Sequence, residues 1–268
     1  MAYLQTVVFH EPKLGSAAEE WEDGAGHDAG DPATGRSARC IVVDGATEAY
    51  DSIRWVGQLV DSFLGIDPAG GAPALTDHGM DEWFGLMQQR WLDEAPTTFG
   101  TIFEERKFHD DGSFATLLGC EIRGLDGARP SWSAVALGDT VLFHVRGTRV
   151  LQQFPALAPE DFGITPEGVF TQPSARDRMR AGLIHAAGEL AVGDRLFLAT
   201  DALADWIART GPTDGERLWR AFDRLGHPTT FRRIIADRRR TGEMKNDDVT
   251  LMRVEVTESE PEFLVVCQ

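Results

Sequence analysis

Apolar residues along this chain fall into short strand-like runs, separated by a few longer stretches of helical periodicity. Strands are predicted at 3–10 (YLQTVVFH), 38–44 (ARCIVVD), 113–122 (SFATLLGCEI), 131–137 (SWSAVAL), 140–145 (TVLFHV), 149–154 (RVLQQF), 195–200 (RLFLAT) and 248–256 (DVTLMRVEV). Val, Ile, Leu, Phe and Thr dominate them, and several end at Gly, Asp or Pro. Gly138-Asp139 between two runs is a two-residue hairpin signal, and a further turn follows at Gly147-Thr148. Consecutive hairpins imply antiparallel sheet.

Helical spacing places Ile53, Val56, Val60 and Phe63 on one face of 51–64, with Leu59 and Leu64 beside it. A second helix is predicted over 80–95, with Trp83, Leu86, Met87 and Trp91 in register, and a third over 202–210. GERLWRAFDRL and TTFRRIIADRRR make up a fourth helical region, whose arginines read as an exposed face. The Gly/Pro-rich stretches 24–36 and 66–74 read as loops, with His27 in the first and His144 in a strand. The Pro-punctuated connection 155–177 is long enough to be disordered or to act as a lid over a site. Strands interrupted by helices define the α+β class. No internal repeat or boundary divides the chain, so residues 1–268 are expected to form a single domain.

Charge narrows the functional classes. The 268 residues carry 43 acidic and 26 basic side chains, a formal charge of -17. That surplus argues against general nucleic-acid binding, which depends on Lys and Arg neutralising phosphates, and against docking on an anionic membrane. A phosphorylated partner would be held only through a local cation. The N-terminal residues show no export signal and no apolar run is long enough to span a bilayer, so a cytoplasmic location is expected. Cys40, Cys120 and Cys267 form neither a disulfide framework nor a metal knuckle, and read as buried thiols.

Acids recur at the ends of predicted core strands. Glu22-Asp23 precede the run that delivers Asp44; RLFLAT delivers Asp201, with Asp205 four residues on; Asp247-Asp248 open the last strong strand. Brought together, these carboxylates would either take up protons or hold cations. Oxygen donors without His or Cys select Mg²⁺, Mn²⁺ or Ca²⁺. The plainer reading of Asp44 and Asp201 is helix capping, since both precede helical segments. Nucleophile-elbow, P-loop, zinc-protease and dinucleotide-binding motifs are absent.

Taken in order, WEDGA, VVDG, GSFATLLG, ALGDTVLFHVRG, LFLATDALADW and NDDVTLMRV resemble the metal-dependent protein Ser/Thr phosphatases of type 2C, most closely a bacterial branch. The resemblance implies a four-layer αββα sandwich, with two central antiparallel sheets flanked by helices. It also implies two, and at most three, Mg²⁺ or Mn²⁺ ions that activate a bridging water against a phosphorylated protein substrate. By this resemblance Asp44 bridges both ions and Gly45 ligates through its carbonyl. Glu22, Asp201 and Asp247 complete the set, with Asp23 supporting metal-bound water; Asp139 and Asp205 match a third, weaker ion site. Catalysis would run through the ions held by Asp44 and Asp201.

The chain also departs from that pattern. DGATE stands where DGHGG is common, Asp201 is followed by Ala202, and Asp247 by Asp248. The phosphate-binding arginine ahead of the Glu-Asp pair is missing, and Lys13, the nearest cation, is assigned as the substrate-phosphate binder in its place. These departures motivate two alternatives: a degenerate regulator or phosphoprotein-binding scaffold of the same fold, and a structural Ca²⁺ site.

Overall fold

The computed structural model describes residues 2–31, 34–66, 71–127, 129–163 and 167–260. Two antiparallel sheets form its centre. One runs in the order β1 (Tyr3–Glu11), β11 (Val249–Thr257), β10 (Asp194–Ala199), β6 (Val141–Arg146) and β7 (Arg149–Phe154). The other runs β2 (Gly24–Asp28), β3 (Ala38–Gly45), β4 (Phe114–Arg123), β5 (Ser131–Leu137) and β9 (Ile184–Glu189), with the two-residue β8 (Val169–Phe170) paired to the start of β4.

Side-chain alternation along these strands sorts the apolar residues into three layers. Val42, Leu118, Ala134, Leu196, Leu198 and Met252 meet between the sheets. Their strand neighbours Ile41, Val43, Leu117 and Val135 face outward against helices α1 (Ser52–Leu64) and α2 (Asp77–Asp93). On the opposite side Phe143, Phe197 and Leu251 pack beneath α5 (Asp201–Asp223) and α6 (Pro228–Arg240). The result is the αββα sandwich expected above. Shorter helices α3 (Ile102–Arg106) and α4 (Arg176–Gly182) lie in the connections.

Several local expectations are corrected. Residues 24–36 are not all loop: Gly24–Asp28 is β2, and His27 lies on it. Its composition is small because α1 crosses it closely. A Cβ at Gly26 would stand 2.7 Å from Leu64 Cδ1 and 2.8 Å from Val60 Cγ1, and one at Gly24 would overlap Val56. Gly138-Asp139 does not close a hairpin; β5 and β6 belong to different sheets, and this turn carries the chain from one to the other. The turn at Gly147 does join the paired strands β6 and β7.

Ile53 and Leu86, expected on buried faces, are half exposed, while Trp55, Leu59, Met80 and Phe84 fill those places. GERLWRAFDRL continues α5 across a kink at Asp214, two residues past Pro212, and only the following segment forms α6. Residues 67–70 and 164–166 lie outside the described residues. The described part of 167–177 is tied down rather than free. Val169 and Phe170 pair with β4, Trp55 Nε1 donates to the Val169 carbonyl at 2.9 Å, and Gln88 donates to Phe170 and Gln172. Cys40 and Cys120 are buried, free and directly opposed across β3 and β4; Cys267 lies outside the described residues.

Candidate functional site

Strand register sends the predicted acids to one end of the sandwich. The C-terminal ends of β1, β3, β5 and β10 and the N-terminal ends of β2, β4, β6 and β11 all meet there. Asp44 closes β3, Asp139 sits in the turn between β5 and β6, Asp201 opens α5, and Asp247 and Asp248 lead into β11. Glu22 and Asp23 approach from the segment just before β2, and Lys13 from the end of β1.

The capping alternative for Asp44 fails, because α1 begins only at Ser52. What the Asp44 carboxylate faces is the N-terminus of α5: the Asp201 N–H lies 3.5 Å from Asp44 Oδ2, at the outer limit of a hydrogen bond. Gly45 is required sterically, since a Cβ there would overlap the Glu22 carbonyl oxygen.

Asp23 is 4% exposed. Its Oδ2 accepts from the Thr250 hydroxyl at 2.7 Å and the Thr200 hydroxyl at 3.1 Å, while Oδ1 has no partner among the described residues. Among the described residues Asp139, 6% exposed, likewise has an unpartnered Oδ1. Beside it, the hydroxyls of Thr116 and Thr140 bond at 2.7 Å and link the two sheets.

Burial is the largest influence on these acids and disfavours their charged forms. It pushes the Asp44 carboxyl well above the ordinary range, with repulsion from Asp201, Asp23 and Asp139 adding to the effect. Asp23 is raised in the same way, its threonine bonds only partly opposing burial and the neighbouring Asp248 and Asp201. Asp139 is pushed up to about 7 by burial and by Asp201, against the pull of Lys245. Asp201 is raised by burial, against the opposing pull of Lys245. Glu22 behaves oppositely: burial is outweighed by hydrogen bonds from Lys13 and Ser52, and its pKa falls.

The remaining residues divide into those that frame the cluster and those drawn elsewhere. Asp248 Oδ1 accepts the Lys13 backbone N–H and Oδ2 the Glu22 backbone N–H, both at 2.7 Å. Its second charge therefore staples two incoming segments. The Lys13 ammonium is engaged inside the protein, 2.8 Å from Glu22 Oε2 and 3.1 Å from Thr47 Oγ1. Ser52 donates to the other Glu22 oxygen at 2.6 Å. Asp205 turns away into an ion pair with Arg209 one helical turn on, with Arg209 Nε 2.8 Å from Asp205 Oδ1.

Two residues at the site escaped the sequence reading. The Lys245 ammonium is hydrogen-bonded to Asp201 Oδ2 and lies 3.3 Å from Asp247 Oδ2. Burial works against its charge, but the two carboxylates outweigh that and raise its pKa. Its only sequence signal was a lone cation two residues before Asp247. Arg239, expected on an exposed face, reaches back from α6 to the carbonyls of Pro12 (2.8 Å), Glu11 (3.4 Å) and Asp247. Among the described residues no three His, Cys, Asp or Glu side chains are gathered into a ready-made ion cage. The acids share one end of the fold, but Lys245 and Lys13 each engage part of the set.

No protein-family model and no curated protein matches the chain. Solved structures do. The catalytic domain of the serine/threonine protein phosphatase PstP, crystallised in complex with two manganese ions, aligns at 16% identity with a TM-score of 0.61, covering 96% of this chain and 100% of that one. Serine/threonine phosphatase Stp1 from Staphylococcus aureus aligns at 12% identity and TM-score 0.63, with 94% of each chain covered. PppA, a regulatory component of the type VI secretion system in Pseudomonas aeruginosa, aligns at 17% identity and TM-score 0.56, over 96% of this chain and 100% of that one. With its two facing antiparallel sheets and flanking helices, the chain has the α+β sandwich fold of the bacterial type 2C serine/threonine phosphatases.

Proposed function

We propose that this chain is a metal-dependent phosphatase that hydrolyses phosphoserine and phosphothreonine in proteins. One observation carries the reading: the buried, mutually repelling carboxylates of Asp44, Asp139 and Asp201 converge at one end of a phosphatase-type sandwich. Their chemistry fits a hard divalent ion. The donors are all oxygen, and among the described residues Asp44 has no short hydrogen bond and the buried Oδ1 atoms of Asp23 and Asp139 are unpartnered. That PstP was solved with two manganese ions supports Mn²⁺ or Mg²⁺ as the cofactor.

In this reading Asp44 would be the shared ligand, Gly45, Glu22, Asp201 and Asp247 would be the further donors, and Asp139 would serve an additional ion. Bound ions supply a water of lowered pKa and neutralise charge on the phosphoryl oxygens. The protein's own groups fix the rest. Two threonine hydroxyls hold Asp23 so that its Oδ1 can hydrogen-bond a metal-bound water, and Ser52 and Lys13 hold Glu22 in place. Asp205, committed to Arg209, has no part in this arrangement. Lys13 could reach a substrate phosphate only by releasing Glu22.

The test is hydrolysis of an aryl phosphate and a phosphoserine peptide with Mn²⁺, with and without chelator. Chelation abolishes turnover, and Asp44→Asn lowers it by at least about 100-fold. Activity that survives both treatments overturns the reading. The engagement of Asp201 and Asp247 by Lys245 favours a second reading, a non-catalytic phosphoprotein-binding member of the fold. That alternative predicts no stabilisation by Mn²⁺, because only a ligand of the native state raises melting temperature.

A further inference from the structure

Resting on the phosphatase reading, we propose that Lys245 is a tethered internal cation that occupies the Asp201–Asp247 half of the metal site, so that a divalent ion enters that half only by displacing it. Direct ion pairing is unevenly shared across the site. On one side, among the described residues, the Asp44 carboxylate has one hydrogen bond, at 3.5 Å, Asp139 keeps an unpartnered, buried Oδ1, and no cation bonds either, although the Lys245 charge still acts on Asp139 from a distance. On the other side a single ammonium bonds Asp201 and lies 3.3 Å from Asp247.

An ammonium and a divalent ion cannot share the space between two carboxylates without strong repulsion. Lys245 is well placed to yield. It lies in the loop between α6 and β11, two residues from Asp247, and its side chain is 41% exposed whereas that of Asp201 is 14% exposed. Released from the acids, it can swing into solvent while the backbone stays put. Metal-free protein is thereby spared two adjacent uncompensated carboxylates, and the concentration of divalent ion needed to complete the site is raised. Lys245 sets a threshold for metal loading.

The experiment is calorimetric titration of metal-free protein with MnCl₂, comparing wild type, Lys245→Met, Lys245→Gln and Lys245→Arg, with Asp44→Asn as reference. Both neutral variants are expected to bind the weaker Mn²⁺ at least about tenfold more tightly, or to gain one equivalent. Lys245→Arg, which keeps the charge, should follow the wild type. Melting in chelator gives an independent readout: the neutral variants melt lower than wild type without metal and gain more from added Mn²⁺. If the neutral variants match wild type in stoichiometry, and in affinity within twofold, while Asp44→Asn abolishes binding, the inference is overturned and the phosphatase reading stands. If no variant binds Mn²⁺, the phosphatase reading fails and takes this inference with it.

Discussion

At the scale of single residues, Gly45 and Asp248 show how the site is positioned by groups that do no chemistry. Gly45 lets the end of β3 pass against the Glu22 carbonyl, a contact that leaves no room for a Cβ. Gly45→Ala should therefore cost about 1–3 kcal/mol, the usual range for overpacking, and weaken Mn²⁺ binding as Glu22 is pushed away. Urea denaturation and metal titration of the same variant check both effects. Asp248 satisfies two backbone N–H groups from distant segments. Asp248→Ala leaves both without their acceptor and should destabilise the fold by roughly 2–5 kcal/mol, whereas Asp248→Asn retains one acceptor and should cost less. A preference for Asn over Ala in denaturant midpoints distinguishes this stapling role from a purely electrostatic one, which would treat the two alike.

At the scale of elements, the acids were legible because apolar runs such as CIVV and RLFLAT end abruptly in Asp. The strands that escaped notice lack such runs for identifiable reasons. β2 is built from GAGHD because α1 lies directly on Gly24 and Gly26, and β9 (IHAAGE) is a half-exposed edge strand with little apolar weight. Gly138-Asp139 signals a turn, but no local pattern tells whether a turn stays in its sheet or crosses to the facing one. Lys245 and Arg239 were invisible for a related reason: a charged residue's partners lie on other elements.

Arg239 ties α6 to the end of β1 and to the Asp247 carbonyl through a planar fork of donors. Arg239→Lys, which keeps the charge but not the fork, should behave nearly as badly as Arg239→Ala. Both should lose about 1.5–3 kcal/mol and bind Mn²⁺ less tightly. Full rescue by lysine in either measurement would contradict the stapling role.

At the scale of the whole molecule, the two ends of the sandwich respond oppositely to pH. At the end remote from the acids, Asp194 bonds His144 and Arg146; burial opposes its charge, but these partners prevail and lower its pKa. Its stabilisation is complete above about pH 4, the unfolded value, and is lost as pH falls through the folded pKa. Asp139, pushed up to about 7, has the reverse effect. Between about pH 4 and 7 the unfolded chain has released this proton and the folded chain keeps it, so stability declines across that window. Metal-free protein should therefore melt highest in mild acid and lose stability toward pH 7.5, with Mn²⁺ restoring it there. A melting temperature in chelator that climbs from pH 5 to 7.5 would contradict this.

Whether these strand ends hold divalent cations can be read from anomalous scattering of crystals soaked in MnCl₂. Manganese peaks are expected at the Asp44 end of the sandwich, the first within roughly 2 Å of an Asp44 carboxylate oxygen. Any peak beside Asp201 and Asp247 should be accompanied by Lys245 displaced from both. Peaks confined to other surfaces, or none in crystals of folded protein soaked at millimolar Mn²⁺, would contradict cation binding at these strand ends.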